Sequence, residues 1–318
     1  MTTTNSYNFS VTRDQLIDTA LQHIQAIGEG VTANASQLTE CSRLLNMLMK
    51  SWAGLGMPLW AIKRGYVLPF TGTSKINTDS HVVLSYTTTT TSVAAASAAS
   101  TITVTSVTGF SDTYVIGIEQ DDDTMHWTTI NGAPAGSVVT LTTALTAAAA
   151  SGNRVYTYAT TVRVAKPLRI LDANILQVSN NSTWEITQVA HKDFYALGGR
   201  TSTGVPNQFY YDLSSPSETN LDAGIISVFP RFQGGDYLVE FSFQRPFQDF
   251  DAGTDNPDCP QEFYLSLMVG LASLCGPKFG VAIDERRALM SEAKMYRDEA
   301  LESITPEGSL YIQPERRI

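Results

Sequence analysis

The chain has 318 residues, 43% of them hydrophobic, with a formal net charge of −10. That length holds a large core and allows two domains, and the composition excludes bulk disorder. The acidic balance excludes a protein that coats itself on a phosphate backbone. No apolar run approaches the roughly 20 residues that span a bilayer, so no membrane partner is expected.

The opening Met1-Thr2-Thr3-Thr4-Asn5 lacks the basic and apolar regions of a secretion signal. The expectation is therefore a soluble protein made in a cytoplasm. Residues 1–56 read as two helices. Thr12 and Gln15 have the spacing of a capping box. Leu16, Ala20, Ile24 and Ile27 then recur at helical intervals until Gly28-Glu29-Gly30 ends the run. The second helix starts near Asn34 or Ser36. Its stripe is Leu38, Cys41, Leu45, Leu48 and Trp52, ending at Gly54 and Gly56. Two such helices joined by a short loop predict an αα-hairpin.

Residues 59–70 read as extended. From about 71 to 158 the chain is rich in Thr, Ser, Ala and Val. "STITVTSVTGF", "TYVIGIEQ", "MHWTTI", "SVVTLTTAL" and "NRVYTYAT" alternate like half-buried strands. Asp121-Asp122-Asp123, Asn131-Gly132-Ala133-Pro134 and Ser151-Gly152-Asn153 are turn signals between them. This spacing predicts a small β-sandwich or barrel. The Ala-rich runs at 94–99 and 147–150 have Thr and Ser flanks and read as loops. Longer strands fill 161–250, with "HKDFYALGG" as a turn or two of helix. That section completes a second sheet, or one begun by residues 59–70, in which case the Thr-rich block is an insertion between two strands of one sheet.

Helices return at Cys259. "CPQEFYLSLMVGLASLCG" is apolar all round, as a buried helix is, with Pro260 near its first turn. The next helix has a stripe of Leu289, Ala293, Tyr296 and Ala300. Asp284 and Glu285 at its start suit the helix dipole. Its outer face carries Arg287, Glu292, Lys294, Arg297 and Glu299, a solvated face or an interface. Pro306 and Gly308 stop the helix, and Ser309-Leu310-Tyr311-Ile312-Gln313 has strand character. Pro314 breaks it and leaves Glu315-Arg316-Arg317-Ile318.

The expected fold class is α+β: N- and C-terminal helices forming a helical bundle domain, with a central β-rich region inserted between them. Residues 1–70 and 259–305 make the helical domain, and 71–160 the Thr/Ala-rich β-sandwich or barrel. Residues 161–258 make a second β-rich section, and 306–318 a C-terminal arm.

Chemistry is sparse. His23, His81, His126 and His191 have no helical metal spacing. Cys41, Cys259 and Cys275 have no CxxC spacing, and Cys41 and Cys275 sit among apolar helical residues as buried thiols do. "GEGVTA" (28–33) follows a helix, not a strand, so it is no dinucleotide fingerprint. The Asp121–Asp123 cluster lacks the spaced carboxylates of a calcium loop and reads as a solvated turn. Glu185, Asp193 and Glu240 lie where a carboxylate pair could assemble, but nothing singles them out. No catalytic residue, metal site or cofactor is expected, and the chain reads as a non-enzyme.

"QLIDTALQHIQAIGEG" followed by "LLNMLMKSWAGLGMPLWAIKRGYVLPF" resembles the start of the head-to-tail adaptor proteins of tailed bacteriophages, the podovirus type, with Trp52, Gly56 and Trp60 as a W-x-x-x-G-x-x-x-W-like element. "CPQEFYLSLMVGLASLCGPKFGVAIDERRALMSEAKMYRDEALESITPEGSLYIQPERR" resembles their closing part. The resemblance covers about the first 70 and last 60 residues. Residues 117–158 look like the inserted β-modules of larger versions. It implies a structural virion protein, synthesised in the bacterial host cytoplasm, that forms a ring of twelve copies under the portal. The ring extends the DNA exit channel and docks tail or nozzle proteins. DNA passes through its lumen without sequence-specific binding, as repulsive acidic walls would favour. The implied C-terminal arm binds the portal by strand addition, with Leu310, Tyr311, Ile312 and Gln313 in the strand and Arg316 and Arg317 pairing with acidic groups. A receptor- or carbohydrate-binding tail protein is the alternative, favoured if Tyr114, Trp127 or Tyr156 is exposed. A virion-associated cell-wall hydrolase is the third, requiring a carboxylate of raised pKa in a cleft.

Overall fold

A computed structural model describes residues 8–54, 59–214 and 223–304. Its five α-helices are α1 (Arg13–His23), α2 (Ala35–Ala53), α3 (His191–Ala196), α4 (Tyr264–Cys275) and α5 (Ile283–Ile304). Segments Met1–Ala61 and Phe247–Ile318 contribute to one compact unit and Ile62–Pro246 forms another.

In the first unit, the Thr12–Gln15 box caps α1: Gln15 N donates to Thr12 Oγ1, and Thr12 N to Gln15 Oε1. A second box starts α2, where Asn34 and Gln37 exchange the same pair of bonds at 2.9 Å. Each box satisfies two N–H groups that a helix start leaves open. α1 stops earlier than its apolar repeat, because Gln25 turns left-handed at φ 55°. α2 buries Cys41, Leu45, Met49 and Ala53, an i, i+4 row. Leu38, Leu48 and Trp52, expected in that stripe, are only half-buried beside it.

α4 is the centre of this unit. It contacts α1, α2 and α5 and buries Leu267, Val269, Leu271, Ala272 and Cys275. Its buried hydroxyls are satisfied by α5 carbonyls: Ser266 Oγ donates to Ala293 O at 2.6 Å, and Ser273 Oγ to Arg286 O at 3.2 Å. A polar group on a buried helix needs such a partner. The returning chain adds Phe247 and Phe250 to the same core. Asn46 holds Phe250 in both directions, Nδ2 to its carbonyl and Oδ1 from its N–H. Trp60 stacks on Phe247 at 5.8 Å, and both Trp52 and Trp60 lean on Phe263.

The second unit holds the strands. In chain order they begin β1 (Ile62–Val67), β2 (Lys75–Asn77), β3 (Val82–Val83), β4 (Thr87–Thr90), β5 (Thr101–Thr103), β6 (Val115–Glu119), β7 (Met125–Thr129), β8 (Val138–Thr140) and β9 (Arg154–Tyr158). They continue with β10 (Arg169–Gln177), β11 (Ser182–Glu185), β12 (Thr187–Gln188), β13 (Thr203–Gly204), β14 (Gln208–Asp212), β15 (Ile225–Phe229), β16 (Arg231–Phe232) and β17 (Tyr237–Gln244). One sheet has the order β11-β10-β17-β1-β3 and a second β12-β14-β15-β2, with β13-β16 as a separate pair. Val67, Ile175, Val239, Phe241 and Phe243 of the first sheet meet Ile76, Phe209, Ile226 and Val228 of the second in a shared core.

The Thr-rich strands pair only among themselves, as β4-β9-β6-β7 and β5-β8. β6 is buried on both faces rather than one. Ile116 and Ile118 face Ile102, Val139 and Leu141, while Val115 joins Tyr156, Leu68, Val83 and Leu238. The Ala-rich runs are loops laced together, with Ala95 and Ala149 exchanging backbone bonds at 2.8 and 2.9 Å. Gly117 sits opposite Trp127 in the ladder, and a Cβ there would meet the indole at 2.6 Å. The missing side chain lets the indole lie flat, 4.3 Å from the ring of His81, which stacks on Phe70 at 4.8 Å.

The expected α+β class with terminal helices flanking a β module is corrected. The chain is mostly β-sheet, with seventeen strands in five sheets against five helices among the described residues. α1, α2 and α5 gather around one short buried member, α4, while α3 packs on β14, and they do not form bundle flanks. The helical segments dominated the sequence pattern because a 3.6-residue period persists over many residues. Strands of two or three residues, such as β3, β12, β13 and β16, are too short to display a period of two.

Burial, and then the charge of Arg163, push His81 down to about 4 from its usual 6.5. Above pH 6.5 the imidazole is neutral in both states and the site contributes its full stability. Below it the unfolded chain binds a proton that the folded chain refuses until about pH 4. Stability should fall across that interval by up to roughly 3 kcal/mol. Urea midpoints between pH 7 and 4 should show the slope in the wild type and lose this component in His81→Phe.

Glu119 ends β6 and accepts from Gly235 N at 2.7 Å and Arg154 N at 3.0 Å. Glu119→Ala leaves both amides without that acceptor and should cost about 2–4 kcal/mol. Denaturant titration reads the loss, and hydrogen exchange should speed up at those two amides.

Candidate functional site

The first unit carries an apolar groove of about 250 Å³ between α2, α4 and α5. α2 supplies Leu48 and Trp52, the side chains left beside its core row. α4 supplies Leu274 and Gly270, whose missing side chain opens the floor. α5 supplies Met290 and Ala293, with Lys294 and Arg297 at the polar edge. Arg297 is braced by Asp298 at 2.9 Å. Of its lining, Met290 is 60% accessible, and elsewhere the unit also exposes Met47, Leu265, Ile283 and Met295. Such a surface, concave and rimmed by cations, suits the apolar side chains of a protein partner.

The expected arm residues Leu310, Tyr311, Ile312, Gln313, Arg316 and Arg317 lie outside the described residues. Glu185, Asp193 and Glu240 do not converge on a reacting centre. Glu240 pairs with Arg64 at 3.0 Å on the sheet face, and burial, aided by the Glu240 charge, holds the Tyr66 hydroxyl above its usual range. Glu185 borders a separate recess with Asp172 and Asn174, and Asp193 is exposed in the first turn of α3.

The acidic turn has structural work. Asp121 accepts from Ala150 N and Asn153 Nδ2, Asp122 from Thr124, and Asp123 from Gln233 Nε2. Their carboxylates thus serve separate hydrogen bonds. Among the described residues no group of three or more His, Cys, Asp or Glu could hold a metal.

The three aromatics that would have marked a sugar platform are packed. Tyr156 is buried and donates to Gly235 O. Trp127 donates to Pro69 O at 3.1 Å, and Tyr114 packs on the core between the two Thr-rich sheets.

Sequence reasoning missed two features. Met290 was not separated from the solvated face of α5, although a methionine among charges is a readable signal. The second is a cluster around Tyr195, where Lys75 and Arg200 lie 5.7 and 5.2 Å from the ring centre. Those residues are far apart in the chain, so only folding joins them. No protein-family model matches the chain, and no curated protein matches it.

Gly270 tests the groove floor. A Cβ there would lie 3.1 Å from Leu48 Cδ2 and 3.7 Å from Ala293. Leu48 borders open space, so it can turn aside, and Ala gains about 1 kcal/mol of helix propensity over Gly. Gly270→Ala should therefore change stability by less than about 1 kcal/mol while reducing the fluorescence of an apolar dye bound in the groove.

Proposed function

We propose that the chain is a structural virion protein, a head-to-tail adaptor that assembles as a ring under the portal. The ring extends the DNA exit channel and docks tail or nozzle proteins, with the C-terminal arm reaching the portal. One observation carries this reading. The two segments that resemble such adaptors lie at opposite ends of the sequence, yet they supply the helices of one compact unit. That unit presents an apolar groove and exposed Met47, Leu265, Ile283 and Met290. A subunit that is complete only in an assembly leaves such side chains open. The net charge of −10 suits a channel wall that repels passing DNA. The receptor-binding alternative draws no support from Tyr114, Trp127 and Tyr156, which are packed.

Light scattering of the protein alone and mixed with its portal ring tests the proposal. The expected result is a low-mass species that joins the portal as a ring. Deleting residues 309–318 should abolish that association and leave the circular dichroism and melting temperature unchanged. Met290→Glu, at an exposed position, should shift stability by no more than about 0.5 kcal/mol and weaken ring formation. A stable trimer that ignores the portal would overturn the proposal.

A further inference from the structure

Cys41 on α2 and Cys275 at the end of α4 are both buried, at 1% and 0% accessibility. Their sulfurs are 3.2 Å apart. A disulfide needs about 2 Å, so closing the remaining gap takes a small rotation of each side chain. The two residues are 234 positions apart, one in each of the segments that build the first unit. An ion pair spans the same junction: Glu40, next to Cys41, meets Lys278, three residues beyond Cys275.

We infer that Cys41 and Cys275 form a latent disulfide that closes on oxidation by a peroxide and staples the two ends of the chain together. Cys41 is the attacking sulfur. The hydrogen bond from Cys275 holds its thiol below the usual value, with the Lys278 ammonium assisting against burial. The same bond, together with burial, pushes Cys275 up. The Cys41 thiolate attacks one oxygen of hydrogen peroxide. The O–O bond breaks, Cys41 becomes a sulfenic acid, and the released hydroxide takes up the thiol proton as water. Cys275 sulfur then attacks Cys41 Sγ. The S–S bond forms as the S–O bond breaks, and the leaving hydroxide takes the Cys275 proton as a second water. Two electrons pass from the two thiols to the peroxide. Peroxide is small enough to enter through a transient opening of the core. In a reducing cytoplasm the pair stays open, and outside it the closed form persists. The inference stands on this geometry and does not depend on the adaptor proposal.

The full-length protein, treated with hydrogen peroxide, unfolded and alkylated, reads the outcome by intact mass. All three cysteines should react before treatment and only Cys259 after it. The oxidised protein should weigh two hydrogens less, and its peptide map should join the segments holding Cys41 and Cys275. Dithiothreitol should reverse the change. Unfolding of the first unit should shift upward by on the order of 5–10 °C in the oxidised form. Cys259→Ser should keep the link and Cys41→Ser should lose it. Three reactive thiols after treatment, sulfinic or sulfonic acid at Cys41, or a link through Cys259 would each overturn the inference.

Discussion

The pairing of β1 with β17 is the constraint on which the rest of the molecule depends. The chain leaves the helical unit at Ala61 and returns to it at Phe247. The strands at those two points run antiparallel for six residues, from Ile62 opposite Gln244 to Val67 opposite Val239. A long excursion is thereby closed at its neck, and both ends of the chain are free to build one core. The same device recurs inside the excursion. The Thr-rich block leaves after β3 and returns through residues 162–164. There Leu84 N donates to Val162 O, Val164 N donates to Val82 O, and Val83 bridges Arg163. Loop-closure entropy grows only slowly with length. A neck of paired strands can therefore carry a large insertion as easily as a short turn.

What keeps the Thr-rich block from hanging on that neck is a seam of polar and apolar contacts. Leu68, Val83 and Leu238 bury one face of the β6–β9 pair. Around them, Glu119 receives two backbone N–H groups, Tyr156 donates to Gly235, and Asp236 accepts from Gln177 and Ser179. Arg154 reaches Asp236 at 3.5 Å. Each of these acceptors faces a donor, which is what allows carboxylates to sit at a junction that water only partly reaches. The close approach depends on Gly234, at φ 66°, and Gly235. An added Cβ on Gly234 would meet the Glu119 carboxylate at 2.7 Å.

The legible parts of the fold were those written in neighbouring residues. The Thr12–Gln15 box, the Ala-rich loops and the stripe of Leu289, Ala293 and Ala300 are local signals, and the structure keeps them. The α2 stripe was half right: Cys41 and Leu45 are inside, but Leu38, Leu48 and Trp52 fit a helical period as well as Met49 does, and only the position of α4 decides which row is buried. The class of the fold was misjudged for a related reason. A strand such as β13 or β16 is defined by its partner and not by its own two residues. The seam was illegible: nothing near Glu119 announces an acceptor for an amide more than a hundred residues away. The groove was half legible. Lys294 and Arg297 were marked as an outer face or interface, but its floor exists because Gly270 lies opposite Leu48.

The groove and the cysteine pair are consequences of one contact, that between α2 and α4. The inner row of α2, Cys41, Leu45 and Met49, seals it, and the flanking Leu48 and Trp52 form a wall of the groove. The other walls come from α4 and α5, which the chain supplies only after the whole β region has been made. A unit assembled from both ends of a chain keeps its groove only while those ends stay together. In the reduced protein that depends on apolar burial, on Asn46 gripping Phe250, and on Trp52 and Trp60 against Phe263. Each of these is reversible, and each fails together with the core. A covalent link at Cys41 and Cys275 would act elsewhere. Neither cysteine lines the groove, yet the link fixes the two helices whose spacing gives the groove its shape.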